Sequence, residues 1–348
     1  MSTELEVHNE IAPIAEAWDE LADEANVPPF LRPGWFRAWL NAFGTGRLIV
    51  LVIRRGGRLV GVMPLSRRAG VLGSPTNWHT PLYGPVAADQ EALRAILGGI
   101  LSQRPRRIDL SFLDGGGSVA RELRELSGSH HCVERRMMQS PYLPIEGDWE
   151  TYWQGVSGKL RQTVRRCSRR LAEIGEISLQ IESGAERLDD LLAEGLRVEA
   201  SNWKGRSGTA IASDPRTVRF YTELARWAAA QGVLRFAFLR VGGRALAFHF
   251  ALESKNKYYL LKPGYNEEFK KAGPGTVLTQ KMVERSFSLG LDSYEFLGAD
   301  DEHKMRWTSE VRPRVRIQAF APSPAGAVDR VIQTHGRALA KRLTSVRA

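Results

Sequence analysis

Residues 257–276 read KYYLLKPGYNEEFKKAGPGT. An apolar run, Tyr258-Tyr259-Leu260-Leu261, has the composition of a buried strand. The loop Lys270-Lys271-Ala272-Gly273-Pro274-Gly275-Thr276 follows, and Val277 to Leu289 carries a helical pattern. A strand, a glycine loop and a helix N-terminus in that order aim backbone N–H groups and a helix dipole at phosphate. Lys262, Lys270 and Lys271 add positive charge beside the loop. Lys270, Lys271, Gly273, Gly275 and Thr276 are therefore the candidate holders of a phosphorylated donor. Pro274 removes one N–H from such a cradle and is tolerated at the first helical turn.

Working outward, the chain reads as one plan used twice. Leu48–Ile53 and Leu59–Met63 flank Gly56-Gly57, and Leu234–Arg240 and Ala245–His249 flank Gly242-Gly243. A Gly-Gly pair between apolar runs predicts a tight hairpin. A tryptophan-bearing helical segment precedes each hairpin, and a strand ending in Phe-Leu follows, at Phe112-Leu113 and Phe296-Leu297. Only the second half has the strand, glycine loop and helix signature. The first offers Gly70 to Pro85 and Gly115-Gly116-Gly117 without basic residues. The expected organisation is a first domain over 1–145 lacking a donor loop, a second over 146–322 carrying it, and a terminal helix over 323–348. In that helix Val328, Ile332, Leu339 and Leu343 form a docking stripe beside Arg330, Arg337, Lys341 and Arg342.

From Val233 the second half reads as strand, hairpin, strand, strand, glycine loop, helix, strand, with Arg314 to Phe320 as its last strand. Ile177 to Ile181 precede as a strand, and Leu188 to Ala200 as a helix. This order and the Lys270–Gly275 pattern resemble the GNAT N-acyltransferases, with Lys in place of the usual Arg or Gln. Over residues 25–320 the chain is similar to a two-domain branch, the cellulose-biosynthesis-type acetyltransferases and the Fem peptidyltransferases. The matching features are Pro29-Phe30 with Trp35 and Trp39, Glu199 to Lys204, Tyr265 to Gly275, and Phe296 to Asp300 leading to Lys304-Met305-Arg306-Trp307. The resemblance implies an α/β (α+β) fold of tandem GNAT-like domains, with mixed, mostly antiparallel sheets flanked by helices. It also implies transfer of an acyl group from acyl-CoA to an amine on a sugar, amino acid or small metabolite. A Fem-like transferase using aminoacyl-tRNA is a second reading, and a non-catalytic binding protein of a polysaccharide pathway a third.

Attack of an amine on a thioester needs a proton acceptor, dipoles for the oxyanion and an acid for the leaving group. His249, inside the apolar strand Ala247–Ala251 on the face opposite Phe248 and Phe250, is a candidate base that would titrate near neutrality. Glu199 is a second. By resemblance to the Fem proteins, Lys304 would stabilise the reacting carbonyl, oriented by Asp300 or Glu302. Trp203, Lys204, Tyr265, Asp300 and Trp307 complete the expected acceptor site. The phenols of Tyr258, Tyr259 and Tyr294 are candidate acids.

Composition sets the wider limits. The 348 residues are 43% hydrophobic and 25% charged, as in globular proteins, and carry a net charge of +10 that favours anionic partners. Two cysteines, Cys132 and Cys167, make no disulfide framework, and Met1 to Glu10 does not read as a secretory signal, so a cytoplasmic setting is expected. His130-His131-Cys132 lacks further nearby ligands, and no metal is expected. In Lys159 to Ile174, Leu160, Val164, Cys167, Leu171 and Ile174 make one apolar stripe. Lys159, Arg161, Arg165, Arg166, Arg169 and Arg170 cover the rest. That helix either packs with a solvated basic face or presents it to tRNA, polyphosphate or an anionic membrane surface.

Overall fold

The computed structural model describes the backbone of residues 3–201 and 211–345, with side chains described as far as Thr334. The chain divides into two compact units. One comprises Met1–Phe36, Gly44–Met138 and Pro313–Ala348, and the other Arg37–Phe43 and Gln139–Arg312.

The first unit runs β1 (Thr3–His8), α1 (Ala15–Glu24), α2 (Pro33–Phe43, whose last turns belong to the second unit), β2 (Arg47–Arg55), β3 (Arg58–Arg68), β4 (Val71–Gly73), β5 (Val86–Ala87), α3 (Gln90–Ser102), β6 (Arg107–Asp114), α4 (Val119–Ser127) and the start of β7 (His131–Pro144). The second continues with α5 (Trp149–Gly155), α6 (Gly158–Ala172), β8 (Ile177–Glu182), α7 (Leu188–Ala200), α8 (Pro215–Ala230), β9 (Leu234–Val241), β10 (Arg244–Ser254), β11 (Lys257–Tyr265), a 3-10 turn (Glu267–Ala272), α9 (Pro274–Ser288), β12 (Ser293–Glu295) and α10 (Glu302–Met305). The order strand, two helices, strands, helix, strand occurs in both units, with four middle strands from β1 to β6 and three from β8 to β12.

Both Gly-Gly hairpins form as the sequence implies. Arg55 pairs with Arg58 and Val241 with Arg244, and all four turn glycines have positive φ. Two consecutive left-handed residues match the twist of the flanking strands. In the second unit the strands run β8-β9-β10-β11-β12-β7, antiparallel except for β11 with β12. Phe236, Phe238, Phe248 and Phe250 are fully buried on one face of β9 and β10, and Phe250 meets Tyr221 of α8 edge-on. On the other face Ala237, Leu239, Ala247 and Leu260 join Val277, Leu278, Met282 and Val283 of α9 and Leu160, Val164, Cys167 and Leu171 of α6. Each large apolar side chain buried there contributes about 1.5–3 kcal/mol.

Three expectations change. The strand read as the end of the second half, β13 (Val311–Phe320), pairs antiparallel with β6, with Ile317 opposite Leu110 and Ala319 opposite Ile108. Arg316 fixes that pairing by donating two hydrogen bonds of 2.6 Å to Asp109, which also accepts from Gln318 at 3.1 Å. Ile174 lies beyond the end of α6 and is exposed. In α11 (Pro324–Ser345), Val328 and Ile332 are 60% and 58% exposed. The helix is held instead through buried Asp329, which pairs with Arg106 at 3.0 Å and Arg107 at 2.5 Å. Ion pairing orients its first turns, so Val328 and Ile332 face outward, while the side chains of Leu339 and Leu343 lie outside the described residues.

Leu278 is fully buried between the sheet and α6. Leu278→Ala should lower the unfolding free energy by about 2–5 kcal/mol, read from urea titration.

Candidate active site

The ladder between β11 and β12 holds three residue pairs, Lys257–Ser293, Tyr258–Tyr294 and Tyr259–Glu295. Beyond Tyr259 the two chains part. β11 runs on to Tyr265, still paired with β10. The other chain turns away at Leu297 and Gly298, with φ of 55° and 64°. A left-handed leucine is strained, so something must hold it. Lys304 does: its ammonium donates to Leu297 O at 2.9 Å and Ala299 O at 2.8 Å, and pairs with Asp301 at 3.1 Å. Burial lowers the lysine pKa, opposed by Asp301 and Asp300. All three N–H groups are thus engaged in fixing the bend. The carboxylate in contact is that of Asp301; Asp300 is exposed, and Glu302 pairs with Arg306.

β11 leads through the 3-10 turn into the glycine loop. Gly273 is left-handed, at φ 66°, and closes the 3-10 turn while capping α9, with Pro274 at the first helical position. A Cβ at Gly273 would overlap the Cys167 thiol, so α6 lies directly on the loop. Arg170 of α6 donates to Lys271 O at 2.7 Å. Thr276 N–H bonds Gly273 O at 3.1 Å, and a Cβ at Gly275 would sit 3.4 Å from the Tyr265 ring. Lys270 and Lys271 are exposed. Lys270, Lys271, Gly273, Gly275, Thr276 and Tyr265 therefore gather at one end of the opening.

Glu199 lies on the other face of the sheet. It is wholly buried, and its Oε2 accepts from Ile211 N–H at 3.0 Å. A Cβ on Gly264 of β11 would come within 2.7 Å of Glu199 Cα, so only glycine lets α7 seat against this strand. Tyr221 stands close enough for the Glu199 charge to help raise its phenol pKa, which burial already drives up. Lys262 Nζ lies 5.7 Å from the centre of that ring. Tyr221 escapes sequence reasoning because no local pattern ties it to Glu199. Gly264, a glycine inside a strand, is the signal of close approach that marks the spot.

His249 does not titrate near neutrality. It is 1% exposed, Nδ1 has no hydrogen-bond partner, and desolvation pushes its pKa down to about 3. Trp307 is buried in the core, stacked on Trp153 at 6.3 Å, with its carbonyl bonded to Tyr152. Tyr258 and Tyr294 are sealed and stacked at 4.9 Å, and burial drives both phenols up, as it does that of Tyr259. Trp203 and Lys204 lie outside the described residues. Among the described residues no group of three or more His, Cys, Asp or Glu is placed to hold a metal, and no helix is long and apolar enough to cross a membrane.

A mostly antiparallel sheet with a strand that enters a glycine loop and helix is the arrangement that the sequence resemblance implies. Residues 158–305 are an acetyltransferase (GNAT) domain. Across the whole chain the fold is shared with solved structures of low sequence identity. FemX aligns at 12% identity with a TM-score of 0.58, covering 94% of this chain and 99% of its own. The C-terminal domain of an Agrobacterium fabrum protein described as a lysylphosphatidylglycerol synthetase aligns at 12% and 0.57, covering 93% and 97%. A conserved protein of unknown function from Bacteroides thetaiotaomicron aligns at 11% and 0.52, covering 91% and 100%. Among curated proteins, none matches the sequence. Within a mixed α/β fold, residues 158–305 thus carry a GNAT-type acyltransferase domain.

His249 yields a pH prediction. Its folded pKa of about 3 lies below the ordinary 6.5, so protonation favours the unfolded chain. Stability attributable to neutral His249 is full above pH 6.5 and declines as pH falls toward 3. Between pH 7 and pH 5 the loss should be about 2 kcal/mol. Urea titrations should show that part of the slope vanish in His249→Gln.

Proposed function

We propose that the GNAT domain transfers an acyl group from acyl-CoA to the amine of a small molecule or saccharide. The observation carrying this reading is the end of the parallel β11–β12 ladder beside the glycine loop. An extended, amide-bearing chain can add to a strand at the point where its ladder to a neighbour ends. Its pyrophosphate then meets the N-terminus of α9, where Gly275 keeps the backbone bare, Thr276 offers its hydroxyl, and Lys270 and Lys271 supply charge. The thioester thus reaches the part of β11 whose opposite face carries Lys262 and Glu199.

Of the three candidate catalytic residues, Glu199 fits the role of base. His249 is sealed in the core, and Lys304 is committed to the bend. Glu199 receives the proton of the attacking ammonium, relayed past Tyr221 and Lys262. The free amine adds to the carbonyl, and backbone N–H groups of the β11 edge bind the developing oxyanion. Collapse expels the thiolate of CoA, which takes up a proton. Lys304 acts as a positioning residue, holding open the gap in which the acyl chain lies.

The Fem-like reading, with aminoacyl-tRNA as donor, draws support from the whole-chain likeness to FemX and from the basic surface of α6. It expects steeply salt-dependent tRNA binding.

Calorimetry with CoA tests the main reading. Wild type should bind, and Gly275→Trp should abolish binding by filling the space beside Tyr265. Glu199→Gln should leave CoA affinity intact and lower kcat about 10²–10⁴-fold. Absence of CoA binding, with salt-dependent tRNA binding in its place, would replace this reading by the second.

A further inference from the structure

Helix α6 carries more basic charge than its packing uses. Leu160, Val164, Cys167 and Leu171 are buried, and Lys159, Thr163, Arg166 and Arg170 follow at spacings of four, three and four, which sets them in one row along the flank of that stripe. Both ends of the row are located. At one, Arg170 donates to Lys271 O in the glycine loop. At the other, Lys159 is near enough to Glu302 to help lower its carboxyl pKa, after the larger effect of Arg306. The row thus runs from the glycine loop to the turn containing Lys304.

Lys159, Arg166 and Arg170 are exposed, and none makes an ion pair with a carboxylate among the described residues. The described ion pair on this helix is Arg169 with Glu173 at 4.0 Å, off the row. Elsewhere in the unit arginines are mostly matched, as Arg235 and Arg285 with Glu253, Arg240 with Glu194, and Arg244 with Glu268. Unmatched guanidinium groups at adjacent turns repel one another, at a cost of a few tenths of a kcal/mol per pair. Such a row is stabilised when an anion sits between its members, and guanidinium forks suit the oxygens of a phosphate monoester.

We infer that Arg166 and Arg170 form a subsite for the ribose phosphate monoester of the CoA donor, next to the pyrophosphate cradle at Gly273–Thr276. The inference rests on the acyl-CoA reading above. Arg170, anchored on Lys271 O through one nitrogen, keeps its remaining donors for the phosphate. Arg166, one turn earlier on the same flank, supplies the second fork. Cys167 between them, seated on Gly273, fixes the height of the row over the loop.

Calorimetry with CoA and with 3′-dephospho-CoA tests the subsite, since the two ligands differ only in that monoester. Wild type should prefer CoA by about tenfold or more. In Arg166→Ala/Arg170→Ala the preference should fall to near one, while affinity for dephospho-CoA stays at the wild-type value. Arg166→Glu alone retains the Arg170 bond to the loop and should reverse the preference. It separates a lost phosphate contact from a loosened loop. Arg165→Ala, off the row, should retain the full preference. Equal binding of the two ligands by wild type, or an undiminished preference in both Arg166 variants, would overturn the subsite while leaving the donor reading intact. Failure of wild type to bind either ligand would overturn the donor reading and the subsite with it.

Discussion

The parallel ladder between β11 and β12 lasts for three residue pairs and then ends, because the backbone at Leu297 and Gly298 takes up two left-handed conformations in succession. A leucine in that region costs free energy that its neighbourhood must return. Lys304 returns it by reaching back to two carbonyls of the bend and to Asp301. Everything proposed for the site follows from this constraint. It ends the ladder to β12, and β11 leads on through the 3-10 turn into the left-handed Gly273 and the N-terminus of α9.

Glycine allows close approach at two points, one on β11 and one in the loop that follows it. At Gly264 the backbone lies against Glu199, and at Gly273 it lies against Cys167. The first contact brings a buried carboxylate onto the strand. The second brings a basic helix onto the loop. A Cβ at either position would push its helix away, separating the chemistry on one face from the charge on the other.

Much of the fold was legible in the residues. The Gly-Gly pairs at 56–57 and 242–243 dictate their hairpins through backbone sterics alone. The spacing of Leu160, Val164, Cys167 and Leu171 defines the buried side of α6 through helical periodicity. Lys270 to Thr276 declares a loop between strand and helix because only glycine and proline satisfy such an entry. The candidate site was less legible. The alternation around His249 gives its face but not what covers that face, and α9 with α6 turns an expected near-neutral base into a sealed imidazole. The charges around Lys304 announce a polar turn, yet the number of carbonyls within reach of the ammonium depends on how the chain bends back.

The sequence by itself determined the local elements, the duplicated plan and the position of the glycine loop, since these depend on residues a few positions apart. Only the tertiary structure decided which polar residues share a neighbourhood. Glu199, Tyr221 and Lys262 come from two helices and a strand, and Arg170 meets Lys271 across 101 positions of chain. It likewise decided that β13 pairs with β6 and that Asp329, rather than Val328, holds α11. These outcomes rest on burial and desolvation, which depend on everything packed around a group, and no short window of sequence contains that information.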